Sequence, residues 1–226
     1  MSAAASGAEL ALALETSTRT PSLAVDFRGQ RTVRFLDSAR AHAADLLPAL
    51  ERLLRELGAS PAQLTLVAVG TGPGSYTGLR VGAATALGLA RASGARLCGV
   101  PSFEAAAFEH LAIGAEGLVL QDARAGELYC ARYRRTATGV DVVLAPKVTT
   151  ARELAADGRP TVTVLADEAA LVAAQLDPAT LPHLVRPATP SAAAVLELAQ
   201  ARARRSELGS VEPLYLRPFA LRSQRR

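Results

Sequence analysis

The 226-residue sequence has no tryptophan, and aromatic residues make up only 4% of the chain. A core of stacked aromatic side chains is therefore excluded. Half of the residues are hydrophobic and the mean hydropathy is +0.19, which excludes a disordered chain. The core must be built from alanine, leucine and valine. A chain of this length suffices for one large domain or two small ones.

Cysteine and histidine are also scarce. The two cysteines, Cys98 and Cys130, cannot form a disulfide framework and lie in no CxxC motif. The three histidines are scattered, and the sequence contains no HxxxH, no HExxH and no G-x-S-x-G elbow. These absences argue against a metal site and against a serine hydrolase, and we expect no cofactor.

Long hydrophobic runs are missing as well. No stretch of about 18 uncharged apolar residues occurs, and the N-terminus lacks the basic region of a signal peptide. These absences predict a cytoplasmic protein without a membrane span.

The basic residues are nearly all arginine, since Lys147 is the only lysine among 25 Lys and Arg residues. The formal charge of +4 and the C-terminal run YLRPFALRSQRR leave two interpretations open. The tail can bind a phosphate backbone without sequence preference. Alternatively, it is a solvated, frayed terminus.

The predicted secondary-structure elements occur twice in the same order. Apolar periodicity predicts a strand, two hairpin strands, a helix, a strand, a helix and a strand in each half. This order predicts an α/β fold of two related lobes, with mixed sheets flanked by helices, as in the actin-like or sugar-kinase-like fold. We expect an N-terminal lobe over 1–108 and a C-terminal lobe over 109–226. The last helix, from about 191 to 205, can pack back on the first lobe.

The segment GTGPGSYTGLR, residues 70–80, joins a buried-strand run to a helix. Its glycine spacing fits neither a dinucleotide fingerprint nor a P-loop, and the P-loop lysine is missing. Backbone amides around Gly72 and Gly74 can still bind an anion at the helix N-terminus. Alternatively, these glycines permit a tight turn that Ser75 or Thr77 caps.

The helix after this loop carries a stripe of small residues at every fourth position: Gly78, Gly82, Ala86 and Ala90. A glycine inside a helix costs about 1 kcal/mol relative to alanine, so Gly82 and Gly88 need a packing reason. The stripe predicts a close helix contact, either inside the lobe or with another chain.

Two further turns have the form of degenerate phosphate hairpins. In LETSTRT, Glu15 is followed by Thr16 and Ser17 without a glycine, so an ordinary Ser/Thr turn is the alternative. QDARAGELY contains Asp122 and Gly126 but no glycine pair, and a surface pair of its aspartate and arginine is the alternative. The predicted vestigial phosphate-loop residues are Thr16, Ser17, Gly72, Gly74, Asp122 and Gly126.

Six segments together resemble the bacterial TsaB (YeaZ) proteins, the smaller relatives of TsaD. They are LALETSTRTPSLAV, AHAADLLPALERLL, VAVGTGPGSYTGLRVGAATALGLA, GVPSFEAAA, DARAGELYCARY and PLYLRP, in that order along nearly the whole chain. The resemblance implies the actin-like (ASKHA) fold and a role in making threonylcarbamoyladenosine in tRNA. It also implies a non-catalytic subunit that binds the transferase TsaD. The ATPase TsaE would join them in a ternary complex, and tRNA would be contacted indirectly.

The resemblance further implies pairing with TsaD, or a homodimer, through two helices of the first lobe. It places the interface on His42, Leu46, Tyr76, Gly78, Leu79, Gly82, Ala86 and Ala90. The HxxxH motif of TsaD-like enzymes is absent. Glu15 stands where many actin-like relatives have aspartate, which argues against direct metal–nucleotide binding. An ATP-dependent enzyme or a peptidase of the same fold is the alternative function.

Overall fold

The first half of the chain forms a five-stranded mixed sheet. In the computed structural model, which describes residues 9–36, 43–156, 163–176 and 185–217, its strands are Leu10–Glu15 (β1), Ser22–Phe27 (β2), Gln30–Phe35 (β3), Leu64–Gly70 (β4) and Arg96–Val100 (β5). Their order is β3-β2-β1-β4-β5. The β1–β2 and β2–β3 pairs are antiparallel, whereas β4 and β5 run parallel to β1.

The second half repeats this plan. Its strands are Glu116–Arg124 (β6), Glu127–Arg135 (β7), Val140–Thr150 (β8), Thr163–Ala166 (β9) and Val185–Pro187 (β10), in the order β10-β9-β6-β7-β8. The β6–β7 and β7–β8 pairs are antiparallel, and β9 and β10 run parallel to β6. Strand order and direction match those of the first sheet. The predicted α/β fold of two related lobes is therefore confirmed.

Helices cover both sheets. The described residues include α-helices at Ala43–Glu56 (α1), Tyr76–Ser93 (α2), Ser102–His110 (α3), Ala151–Ala156 (α4), Ala169–Gln175 (α5) and Ala192–Arg204 (α6). A short 3₁₀ turn at Pro61–Gln63 leads into β4. None of the described helices combines the length and the apolar character that a membrane span requires.

Alternating leucines and alanines in β1 decide how the first lobe packs. The leucines at positions 10, 12 and 14 face a core shared with α1 and α2. Ala11 and Ala13 face the opposite core, to which α6 contributes alanine, valine and leucine side chains. Because alanine is small, α6 can lie close to the sheet at this face. The last helix thus packs on the first sheet, although it follows the strands of the second lobe in sequence.

The helix α3 lies between the two lobes. Ala105 packs in the core that contains α6, whereas Phe103 and Ala106 pack with Tyr133 of the second sheet. The first six residues of α3 are all buried. A helix buried on nearly all sides shows no alternation of apolar and polar residues, which is why the sequence does not predict it. The apolar contacts of α3 therefore join the two lobes.

Candidate functional site

The glycine loop, residues 70–75, packs tightly against the segment that follows β1. Ser75 donates its backbone N–H to the Ser17 carbonyl at 2.7 Å, and a Cβ atom on Gly74 would lie 2.3 Å from that oxygen. Gly72 has a φ of 94°, in the left-handed region, and its N–H donates to Ser102 Oγ at 3.0 Å. The hydroxyl of Ser75 caps α2. These contacts fit the tight-turn interpretation better than an open phosphate cradle.

The stripe of small residues on α2 faces the interior of its own lobe. A Cβ atom on Gly78 would lie 2.0 Å from the backbone oxygen of Thr16, and one on Gly82 would lie 2.3 Å from Thr16 Oγ1. Thr16 Oγ1 donates to the Gly78 carbonyl at 2.8 Å. Ala86 and Ala90 continue the stripe into the hydrophobic core. Of the two contacts that the sequence left open, the one inside the lobe is present.

The interface expected on the stripe stays a prediction, and the structure shows how far each of its residues is exposed in the single chain. Five of the eight expected residues are buried in the lobe: Leu46, Leu79, Gly82, Ala86 and Ala90. Gly78 is half-buried beside Thr16. Tyr76 is 41% exposed and lies on the surface. The position of His42 lies outside the described residues.

The opposite face of α2 carries a second line of small residues, and this line is exposed. Ala84, Gly88 and Ala92 are exposed and follow one another at intervals of four residues. A Cβ atom on Gly88 would have no neighbour within 4 Å among the residues that the structure describes. Leu87, beside this line, is 37% exposed. The described part of the chain therefore gives no steric reason for a glycine at position 88.

The hydroxyl residues after β1 are buried, and the hydroxyls of Thr16 and Thr18 bond within the chain. Thr16 Oγ1 donates to α2, as described above. Thr18 Oγ1 accepts the N–H of Thr20 at 3.2 Å, which is the geometry of a Ser/Thr turn. Ser17 is buried, and its N–H donates to Glu15 Oε1 at 2.7 Å. The ordinary Ser/Thr turn is the interpretation that fits these bonds.

Glu15, the last residue of β1, has a fully buried carboxyl group. A Cβ atom on Gly70 would lie 2.0 Å from Glu15 Oε2, so only glycine at position 70 leaves room for the carboxyl. Burial raises the pKa of Glu15 above its ordinary 4.5, and hydrogen bonds from Ser17 and Ser102 oppose that rise. The neutral acid is thus favoured here more than in an exposed glutamate.

The turn between β6 and β7 is held by its own residues. Arg124, Ala125 and Gly126 all have positive φ, at 67°, 56° and 78°. Asp122 Oδ1 accepts the Arg124 N–H at 3.1 Å and the Gln175 amide at 3.0 Å. Asp122 therefore shapes this turn and ties it to the end of α5.

A cleft of about 1370 Å³ lies between the lobes, beside the loops that follow β1 and β6. Three of the six predicted phosphate-loop residues line it: Ser17, Gly74 and Asp122. Thr16 and Gly72 are buried, and Gly126 is exposed in the β6–β7 turn. The lining also includes arginine, carboxylate and tyrosine side chains: Arg19, Arg124, Arg217, Asp167, Glu168, Tyr76, Tyr129 and Tyr215. Within the described ranges, no three His, Cys, Asp or Glu residues are grouped to hold a metal ion.

The C-terminal strap, residues 209–217, contacts the first lobe and reaches the cleft. The Gly99 N–H donates to the Gly209 carbonyl at 3.0 Å, and the Leu214 N–H donates to the Thr71 carbonyl at 2.8 Å. A frayed terminus is therefore the wrong interpretation for Arg217, which is bound to the β6–β7 hairpin. The arginines after position 217 lie outside the described residues.

Comparison with known proteins gives two kinds of sequence match. The family model described as TsaD: tRNA N6-adenosine threonylcarbamoyltransferase matches residues 36–203. A protein of Haemophilus influenzae named tRNA threonylcarbamoyladenosine biosynthesis protein TsaB is 39% identical over 52% of this chain and 51% of its own length. The protein of that name from Escherichia coli is 32% identical over 61% of this chain and 63% of its own length. The matches thus span between half and two thirds of these relatives.

A solved structure, YeaZ from Pseudomonas aeruginosa, matches 92% of this chain and all of its own, with a TM-score of 0.76 at 24% identity. This likeness shows that the two proteins share a fold. The family model covers far more than half of the chain. The chain therefore belongs to the TsaD family and, within it, to the TsaB (YeaZ) proteins.

Proposed function

We propose that this protein is a non-catalytic subunit of the cytoplasmic system that forms threonylcarbamoyladenosine in tRNA. It binds a TsaD protein and supports the threonylcarbamoyl transfer that TsaD performs. TsaE joins the two proteins in a ternary complex, and tRNA is contacted indirectly through that complex. The matching family model and the relatives named TsaB support this assignment.

The polar groups beside the cleft support a non-catalytic role. A general acid, a base or a phosphate-binding donor must have an atom free to reach the substrate. Here the Thr16 hydroxyl is bonded to α2, the Glu15 carboxyl is sealed in the protein, and Asp122 is bonded within its own turn. The residues that the actin-like fold would use for chemistry therefore serve the packing of this chain.

The exposed Gly88 is the observation that carries the docking surface. Glycine in a helix interior costs about 1 kcal/mol relative to alanine. Gly78 and Gly82 have steric reasons inside the lobe, but no residue that the structure describes supplies one for Gly88. Helix axes pack about 8–10 Å apart depending on the side chains between them, and the line Ala84, Gly88 and Ala92 permits the close end of that range. We assign the outer face of α2 to the contact with TsaD.

The charges of α2 indicate the chemistry of the partner surface. The helix contains Arg80 and Arg91 but no acidic residue. Exposed leucines supply apolar area, with Leu87 on α2 at 37% exposure and Leu47 on the neighbouring α1 at 53%. Such a face suits a partner helix with small or apolar residues at its centre and carboxylates at its rim.

Replacing Gly88 tests the docking surface. Gly88→Gln is expected to weaken binding to TsaD from the same genome at least about tenfold, or about 1.4 kcal/mol, because the longer side chain separates the two helices. Its melting temperature should equal or exceed that of the wild type, since glutamine is a better helix former than glycine. Isothermal titration calorimetry and thermal unfolding measure the two effects.

Two variants serve as controls for this experiment. Gly88→Ala adds one methyl group and should keep most of the affinity. Leu171→Gln alters an exposed leucine on α5 of the second lobe and should leave the affinity unchanged. Wild-type affinity in Gly88→Gln would remove the outer face of α2 from the interface. Sedimentation of Gly88→Gln alone shows whether a homodimer uses the same face.

An ATP-dependent enzyme is the rival function, and the open cleft is the feature in its favour. We expect calorimetry with ATP and Mg²⁺ to detect no binding in the micromolar range to the isolated chain. The reason is that the Thr16 hydroxyl and the Asp122 carboxyl bond within the protein and the Glu15 carboxyl is buried. Micromolar binding would restore the rival and contradict a purely structural role for these residues.

A further inference from the structure

The C-terminal strap is fixed to the first lobe by a backbone contact that only glycine allows. A Cβ atom on Gly99 would lie 1.7 Å from the carbonyl oxygen of Ser210, and one on Gly209 would lie 2.3 Å from the carbonyl oxygen of Gly99. Leu214 then bonds to the backbone of the glycine loop. The strap therefore moves with β5 and with the start of α2.

An aromatic contact joins the strap to the first turn of α2. The ring centroids of Tyr215 and Tyr76 are 5.1 Å apart. Arg80, one turn further along α2, lies over the Tyr76 ring at 5.4 Å and donates to its hydroxyl at 2.7 Å. Aromatic pairs at such a separation attract one another. A shift of the Tyr76 ring would therefore displace the Tyr215 ring.

Beyond this contact, the strap crosses the cleft to the second lobe. The Arg217 guanidinium lies 2.8 Å from the Glu127 carboxylate and donates to the Ala123 carbonyl at 2.6 Å. Among the described residues, one other ion pair spans the cleft, between Arg19 and Glu168 at 3.2 Å. Both pairs are partly exposed, so each holds the lobes only weakly. On the cleft side, the tip of the β6–β7 hairpin is therefore held to the first lobe only by weak contacts, whereas its other end is fixed by the apolar contacts of Tyr133 with α3.

We propose that the strap couples the outer face of α2 to the β6–β7 hairpin of the second lobe. A partner docked on α2 restrains Tyr76. Through Tyr215 and Arg217, this restraint holds the hairpin against the first lobe. Arg217 is a positioning residue, since it acts through the hairpin. The partner's identity rests on the proposed function, whereas the contacts along the strap do not. They form a continuous chain of packed and hydrogen-bonded groups, which is one way in which such coupling is carried.

Hydrogen exchange of the full-length chain tests this coupling. In the isolated protein, Arg217→Gln is expected to speed exchange in the hairpin peptide 121–129 about fivefold, because it removes the ion pair and weakens the bond to Ala123. Arg31→Gln breaks an ion pair of similar length, with Glu197, that lies within the first lobe, and it should leave this peptide unchanged.

Adding TsaD gives the second measurement. Binding should slow exchange in peptide 121–129 of the wild type and of Tyr215→Phe. The same peptide in Arg217→Gln and Tyr215→Ala should not respond, although both variants bind TsaD. An equal response in Arg217→Gln, or none in the wild type, overturns the coupling. If TsaD does not bind at all, the proposed function fails, and the result in the isolated chain still decides whether Arg217 holds the hairpin.

Discussion

Gly78→Ala is expected to destabilise the protein by about 3 kcal/mol or more, the upper end of what overpacking a filled interior costs. The added methyl group would lie 2.0 Å from the backbone oxygen of Thr16. No rotation of a side chain can relieve that contact, so either α2 or the segment after β1 must shift. For a chain of this size the melting temperature should fall by about 6–12 °C.

Gly88→Ala provides the matched control, since it makes the same substitution in the same helix. Its methyl group meets no atom of the described ranges within 4 Å. Alanine restricts the unfolded chain and favours helix, so this variant should gain about 0.5–1 kcal/mol. Thermal and urea unfolding of both variants show whether each substitution raises or lowers the free energy of unfolding. A loss of stability in Gly88→Ala, or none in Gly78→Ala, would contradict the assignment of the inner and outer faces.

A double-mutant cycle locates the steric conflict more closely. In Gly82→Ala the new methyl group would lie 2.3 Å from Thr16 Oγ1, which is a side-chain atom. Thr16→Ala removes that atom and should offset at least about 1 kcal/mol of the cost of Gly82→Ala. The same change should not rescue Gly78→Ala, because its conflict is with the Thr16 backbone. Equal rescue of both variants would place the conflict elsewhere.

The small-residue stripe illustrates which features of α2 the sequence could predict and which it could not. A repeat of glycine and alanine at every fourth residue predicts a close contact of α2, and that contact is present. Its direction depends on Thr16, which is 62 positions away from Gly78 in the chain. Helical periodicity is a local property and carries no information about such a distant neighbour. For this reason the expected interface fell on the inner face, where Leu79, Gly82 and Ala86 are buried.

The repeated strand order was predictable because each strand and helix carries its own apolar period. The helix α3 and the strap were not predictable in this way. All of the first six residues of α3 are buried, so the helix has no polar face that would reveal its period. The strap is held by backbone contacts, which do not depend on a repeating pattern of side chains. Gly99, inside an apolar strand run, was the one available signal, since a glycine there often marks a close backbone approach.

Glu15→Gln is expected to stabilise the protein at pH 8. Glutamine can keep the acceptor for the Ser17 N–H, which now donates to Glu15 Oε1 at 2.7 Å, without placing a charge in the interior. The groups that bond to this carboxyl are neutral hydroxyls and amides. A gain of about 1–3 kcal/mol matches the usual cost of a buried polar group that is not fully compensated.

The pH dependence of that gain has a definite sign. Because burial raises the pKa of Glu15 above 4.5, its contribution to stability is fully present below the unfolded-state pKa and is lost as the pH rises through the folded-state pKa. The difference between Glu15→Gln and the wild type should thus grow as the pH rises above the unfolded-state pKa and level off above the folded-state pKa. Urea unfolding at pH values between 4 and 8 measures it.

Glu153→Gln is the control, because the expected pH dependence of its stability has the opposite sign. Hydrogen bonds from Thr150 and Thr149 lower the pKa of Glu153, so its contribution is present above the unfolded-state pKa and is lost as the pH falls. This variant should be less stable than the wild type at neutral pH, and the difference should shrink in acid. A loss of stability in Glu15→Gln at pH 8 would mean that the buried carboxylate is held in its charged form.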